Sequence, residues 1–322
     1  MVSGGIALFF LLLAVLVIIV LTAKYKMNAF VVLIGVAFLY GIAIGMPLKD
    51  VVSNVRTGFG NTLGYIGIVI VCGTIMGYIL EKTGAALSMT QAILKLVGRE
   101  RSAFAMSLAG YVVSIPVFCD SGYVILTPLN KALAKETKTS MAVMAVALST
   151  GLYATHPMVP PTPGPIAAAG ALKADLGLVI VLGLIAAIPA MIAGYLWAKN
   201  VAKKYWIEAD IEVSYDELIK QQGKLPNTFM SFMPLVVPIL LILLKSVADF
   251  PTKPFGKAGF AAFVSFIGDP VTALMIGVIL SLFLVPKDSL KTAYHDWMGH
   301  GIRDAAIILV ITGAGGSFGR IL

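Results

Sequence analysis

The chain has 322 residues, of which 59% are hydrophobic and only 12% charged, and its mean hydropathy is +0.94. Soluble globular domains carry roughly a quarter charged residues, so this composition excludes an ordinary soluble fold and places the chain in the membrane class. The formal net charge of +8 does not point to nucleic acid, because the bases are spread through short segments between apolar runs, as in the loops of membrane proteins.

The first apolar run, Gly4 to Leu21, is followed by Lys24 and Lys26. A cleavable signal peptide has its bases before the apolar core, so this run is expected to be a retained first span. Further runs of spanning length follow at 28–46, 63–80, 176–198, 230–248, 270–286 and 303–322. Cys72 and Cys119 both lie inside apolar stretches and give neither a disulfide framework nor metal-ligand spacing. No metal or other cofactor is implied.

Two stretches do not fit a plain span. Residues 102–134 are broken near Pro116 and Gly122 by SIPVFCDSG (114–122). Each half then has about 14–16 residues and reaches roughly 21–24 Å, short of the roughly 30 Å hydrocarbon core. This stretch is expected to be a re-entrant hairpin. Residues 140–172 are interrupted by THPMVPPTPGP (155–165), with five prolines in eleven residues. Proline removes a donor and clashes with the preceding turn, so a span unwound at its centre is expected. Backbone of this kind is tolerated at membrane depth only where it is buried in protein or lines a cavity.

Residues 199–228 form the long polar segment and read as a cytoplasmic connector, with room for one amphipathic helix. Bases concentrate at 24–26, 82–101, 131–138, 199–224 and 287–291, against Lys49, Arg56, Lys173, Lys245, Lys253 and Lys257 on the opposite side. By the positive-inside rule the N-terminus is outside and the hairpin opens to the cytoplasm.

An internal repeat is also legible. Gly35-Val36 matches Gly277-Val278, and GTIMGYIL (73–80) matches GGSFGRIL (315–322), both at a displacement of 242 residues. The two copies would run in opposite directions, the mark of inverted-repeat transporters. The fold class expected is therefore an all-α polytopic membrane protein. Residues 1–198 would form a first repeat, 199–228 the connector, and 229–322 the start of a second repeat that reads as incomplete, so that half of the expected site would be missing.

The chemistry-bearing residues concentrate in the two breaks. At the hairpin tip stand Ser114, Asp120, Ser121 and Gly122. A half-helix beginning near Ser121–Gly122 would present unpaired amides and partial positive charge to a carboxylate. The two serines also serve as ordinary helix caps. Asp120 is an ionisable residue at membrane depth and a candidate proton carrier, since burial favours its neutral form and helix amides its charged form. The alternative is an acid satisfied by neighbouring amides. His156 lies in the second break and could bond substrate or relay a proton, because imidazole titrates near neutrality; a packed or capping histidine is the plainer reading. Thr155, Thr162 and Gly164 offer hydroxyls and close backbone approach to a polyhydroxylated ligand. Asn61, after GFG (58–60), and Asp304 read as boundary residues, and Trp197 and Trp206 as interfacial anchors.

The stretches GNTLGYIGIVIVCGTIMGYILEKTGAA (60–86), SIPVFCDSGYVILTPLNKALA (114–134) and STGLYATHPMVPPTPGPIAAAGAL (149–172) resemble the gluconate permease family of gluconate:proton symporters, within the ion transporter superfamily. The resemblance covers essentially the whole chain. It implies proton-coupled uptake of a small organic anion such as gluconate across the bacterial inner membrane, with D-serine as the alternative substrate. The partners expected are that anion, the proton and the lipid bilayer, with no nucleic acid; a homo-oligomer is compatible with these features. Family polypeptides are longer, in line with a truncated second repeat. A membrane-embedded hydrolase using Asp120 and His156 is the reading from another class, but no HExxH pattern or nucleophile elbow supports an enzyme.

Overall fold

The computed structural model describes residues 4–221, 223–250, 252, 254–256 and 259–322; Lys253 and Lys257, two of the bases used for orientation, lie outside them. All the regular structure among the described residues is helical, with no strand among them. In chain order the helices are α1 (Gly4–Ile19), α2 (Ala29–Ala43), α3 (Leu48–Lys82), α4 (Ala85–Val97), α5 (Ser102–Val113), α6 (Cys119–Glu136), α7 (Met141–Thr155) and α8 (Pro163–Leu172). They continue as α9 (Leu176–Asn200), α10 (Tyr215–Gln221), α11 (Thr228–Ala248), α12 (Phe260–Ile267), α13 (Pro270–Leu282), α14 (Leu290–Thr292) and α15 (Met298–Ile321).

Among the described residues five helical segments are long and apolar enough to cross a membrane: Gly4–Lys24, Leu48–Lys82, Leu176–Lys204, Thr228–Ala248 and Lys287–Ile321. A sixth is the pair α12–α13, bent by 63°. That bend has a local cause. Asp269 caps α13 by accepting from the Val271 amide at 3.1 Å, and Pro270 occupies the first turn, where its missing N–H costs nothing. Asn28, Ser140, Asp175 and Asn227 cap α2, α7, α9 and α11 in the same way. The chain is thus a multi-pass membrane protein.

Several expected boundaries move. The third run, read as 63–80, is the apolar end of a 35-residue helix that begins at Leu48. Apolar runs report lipid or core contact, while helix length depends on breakers, and no proline lies between Leu48 and Lys82. Asn61 and Gly58–Gly60 therefore sit inside α3 and not at a mouth. The second run yields a helix of only 15 residues. Helix α4 was not expected; it is buried along Ala85–Thr90 and at Ile93 and Leu94, and packs on α5 and α11.

The chain divides into two compact units. The first holds residues up to Ile68, 170–173 and 303–322. Its core joins Val32, Val36, Ala37 and Tyr40 of α2 to Val51 and Val55 of α3 and Ile321 of α15. There α3 and α15 cross at small residues. Ser317 donates to the Val55 carbonyl at 2.9 Å, and a Cβ on Gly58 would collide with the Gly316 carbonyl.

The second unit holds 69–169 and 174–302. Within it α5 packs on α7, α7 on α9 and α11 on α13. The helices approach closely where glycine permits. Gly110 lies against the Leu148 carbonyl, Gly151 against the Ser107 carbonyl and Gly183 against the Met158 carbonyl, so that none of the three can carry a side chain without displacing backbone. The connector is not a free tether. Residues 205–214 are laid across the foot of α6, where Lys131 donates to the Asp210 carbonyl at 3.3 Å and Lys135 to those of Ile211 and Glu212 at 3.0 Å each. Trp197 and Trp206 are both exposed.

Candidate functional site

Both expected breaks are present, with altered limits. The first interrupts the helix at 114–118, leaving arms of 12 and 18 residues instead of near-equal halves. These reach about 18 and 27 Å. The arms pack on each other and are bridged at their open ends by Ser102 and Thr137, whose hydroxyls are 3.2 Å apart. The second half-helix begins at Cys119, so Gly122 lies within its first turn, buried against Leu152. Among the turn and cap bonds the amide of Gly122 returns to the Phe118 carbonyl at 2.8 Å. The amides of Cys119, Asp120 and Ser121 precede it and have no intrahelical acceptor, as at every helix N-terminus.

The second break covers 156–162, and α8 resumes at Pro163. Pro163 and Pro165 were expected inside the break. They fall in the first turn of α8, where a missing N–H is harmless and the fixed φ suits the helix. Pro157, Pro160 and Pro161 remain in the unwound part, with a cis bond between the last two.

The fold brings the two breaks together. The Phe118 and His156 rings meet edge to face at 5.9 Å between centroids. Asp120 follows Phe118 by two residues, beside this contact. The Cys119 thiol lies 3.5 Å from Asp120 Oδ1. Asp120 itself is exposed and Ser121 half-buried. The burial expected for the acid is therefore not supplied by the protein around it: Asp120 lies at the outer side of the first turn, while Cys119 and Gly122 turn inward.

The hydroxyls take different parts. Ser114 is fully buried and its Oγ has no partner among the described residues; the same holds for His156 Nδ1. Buried polar atoms are normally paired, so these two are free to bond a ligand or water. Thr155 instead donates to the Tyr111 carbonyl at 2.9 Å, tying α7 to α5, and Thr162 donates to the Val159 carbonyl at 2.7 Å. Gly164 is exposed in the first turn of α8, with nothing near its Cα that a Cβ would meet.

A small cleft lies between the breaks, lined by Ile115–Phe118, Pro161–Pro163 and, from α3, Ile70, Gly73 and Thr74. Of the expected site residues only Thr162 lines it. Ser114, Asp120, Ser121, Gly122, Thr155, His156 and Gly164 flank the same two breaks from other sides. Sequence reasoning missed Thr74 and Cys119, along with the fully buried, unpartnered Ser107 hydroxyl and Asn130 amide. The missed signal for α3 was GTIMG (73–77), a small-xxx-small spacing that lets another backbone come close. Gly77 receives the Pro116 carbonyl and Gly73 receives Pro161. A second small cavity at Pro160–Pro161 is lined by apolar residues of α3, α8, α9, α11 and α13.

A polytopic helical membrane protein whose two broken helices meet, with unpaired first-turn amides and orphaned buried polar atoms around the breaks, has the build of a membrane carrier. The GntP family permease profile matches residues 6–322, and the chain belongs to that family. It is 39% identical to an uncharacterized permease of Haemophilus influenzae over 97% of this chain and 66% of the relative. It is 33% identical to a gluconate permease of Pseudomonas aeruginosa, over 97% of this chain and 70% of that one. To the D-serine transporter DsdX of Escherichia coli it is 32% identical, over 97% and 70%. The chain thus spans about two thirds of the length of these relatives.

Proposed function

We propose that this protein carries a small hydroxylated carboxylate, gluconate or a close aldonate, together with a proton across the bacterial inner membrane by alternating access. The observation that carries the reading is the meeting of the two breaks. The unpaired first-turn amides of α6 stand beside the interrupted span that holds His156 and Thr162. Helix N-terminal amides hold a carboxylate without needing a lysine. Ser114, Ser121, Gly122, Thr155, Thr162 and Gly164 would serve the hydroxyl-bearing remainder, and Asp120 with His156 would take up and release the proton. The base distribution supports an outward N-terminus, with the connector and the foot of the hairpin on the cytoplasmic side.

A second substrate, D-serine, is favoured by one observation: the exposed Asp120 carboxylate beside the free amides offers an anionic partner to an ammonium group. The names of the relatives include both substrates. Uptake of labelled gluconate, other sugar acids and D-serine by cells expressing the protein, with and without a pH gradient, separates these readings. Gluconate uptake that an acid exterior accelerates and an uncoupler abolishes is the expected result. Uptake indifferent to both would remove the coupling, and saturable uptake of D-serine alone would reassign the substrate.

A further inference from the structure

The cleft has a wall that the broken helices do not supply. Gly73 and Thr74 of α3 line it opposite the hairpin tip and the 161–163 segment. Thr74 is a polar residue on a predominantly apolar helix end and is only 6% exposed. Its hydroxyl proton is committed, since Oγ1 donates to the Val71 carbonyl at 2.9 Å. Thr162, across the cleft, is committed in the same sense to the Val159 carbonyl at 2.7 Å. Each oxygen therefore has only acceptor lone pairs left, because a hydroxyl has one proton to give and two pairs to offer.

This arrangement separates the polar groups by sense. Thr74 and Thr162 contribute acceptors to the cleft; the donors, the unpaired first-turn amides of α6, begin one residue beyond Phe118, which lines it. A carboxylate takes only donors, whereas a ligand hydroxyl can give its proton to an acceptor. We propose that Thr74 is a specificity-determining residue of the transport site, accepting a hydrogen bond from a hydroxyl of the substrate at the end away from its carboxylate. The substrate class is thereby narrowed to carboxylic acids bearing a proton-donating group on the carbons beyond the one next to the carboxylate. This inference rests on the transport reading given above.

The test uses the full chain in cells, with labelled gluconate as the probe. Its KM is measured for the wild type and for Thr74→Val, Thr74→Ser and Thr74→Ala, with membrane abundance measured in parallel. Competition by an unlabelled acid of equal length that lacks the distal hydroxyls is measured in each. Valine keeps the shape of threonine and removes the acceptor, so KM should rise about tenfold, the worth of one site-directed hydrogen bond. The maximal rate per transporter should change little, and Thr74→Ser should restore KM to within about twofold of wild type. The deoxygenated competitor should inhibit wild type and Thr74→Val alike, since it has no donor to lose. Alanine guards against a misfolded valine variant, and its KM should match that of valine. Unchanged KM in both the valine and alanine variants of a transporting protein would overturn the role of Thr74 alone, as would equal weakening of gluconate and the deoxygenated acid. A wild-type protein that accumulates none of the labelled acids would overturn the transport reading and this inference with it.

Discussion

Gly77 of α3 lies against the carbonyl of Pro116 at the hairpin tip, so closely that a Cβ on residue 77 would overlap the carbonyl oxygen. One turn earlier, a Cβ on Gly73 would stand 3.5 Å from Pro161, an ordinary contact. The two glycines of one motif thus carry unequal loads. Gly77→Ala should force the hairpin tip away and lower stability by about 1–3 kcal/mol, the usual cost of overpacking. Gly73→Ala should leave stability near wild type. Thermal unfolding of the two purified variants in detergent checks the contrast, and equal melting temperatures would show that the tip yields freely.

Thr155 holds α7 to α5 through the Tyr111 carbonyl and is fully buried. Thr155→Val should cost about 1–2 kcal/mol, because it leaves a buried carbonyl short of a donor, while Thr155→Ser should recover most of it. If the valine variant unfolds at the wild-type temperature, the bond is not a structural tie.

The connector is fastened at Arg99. Its guanidinium bonds Glu136 at 3.2 Å and Asp216 at 3.0 Å and stacks 4.1 Å over the Tyr215 ring. Arg99→Ala should free α10 and make residues 205–221 more susceptible to limited proteolysis; Arg99→Lys should do so in part, since an ammonium cannot stack or fork as a guanidinium does. Unaltered cleavage in the alanine variant would mean that the lysine bonds to the connector suffice.

Helix α10 also carries a pH dependence. Ser214 donates its amide and hydroxyl to Glu217 at 2.8 and 2.9 Å, forming a capping box. The backbone bond, then the hydroxyl bond, hold the Glu217 carboxyl below the usual range. A depressed carboxyl contributes its stability above the unfolded-state value and loses it as pH falls through the folded one. Protection of the α10 amides from hydrogen exchange should therefore fall on acidification in the wild type more than in Glu217→Gln.

The two breaks were legible in the residues because their signals are local. Pro116 and the 157–161 prolines break helices by steric and donor loss wherever they sit, and both breaks are where these residues place them, within a few positions. Limits were less legible. Pro163 and Pro165 read as breakers, yet a proline in the first turn starts a helix as readily as it ends one. The start of α3 was hidden because Asp50, Asn54 and Arg56 are polar without being helix-breaking. Thr74 was hidden for another reason: facing a cleft between segments 40 and more residues away is a tertiary property, and a threonine on an apolar helix has no local mark for it.

Proton coupling is assigned to Asp120, at the meeting of the two breaks. The direct measurement is gluconate movement in proteoliposomes of the wild type and Asp120→Asn, both as counterflow without a gradient and as accumulation against an acid exterior. Wild type should do both, whereas Asp120→Asn should retain counterflow and lose gradient-driven accumulation. Accumulation by the variant equal to that of the wild type would contradict the assignment of proton coupling to this aspartate.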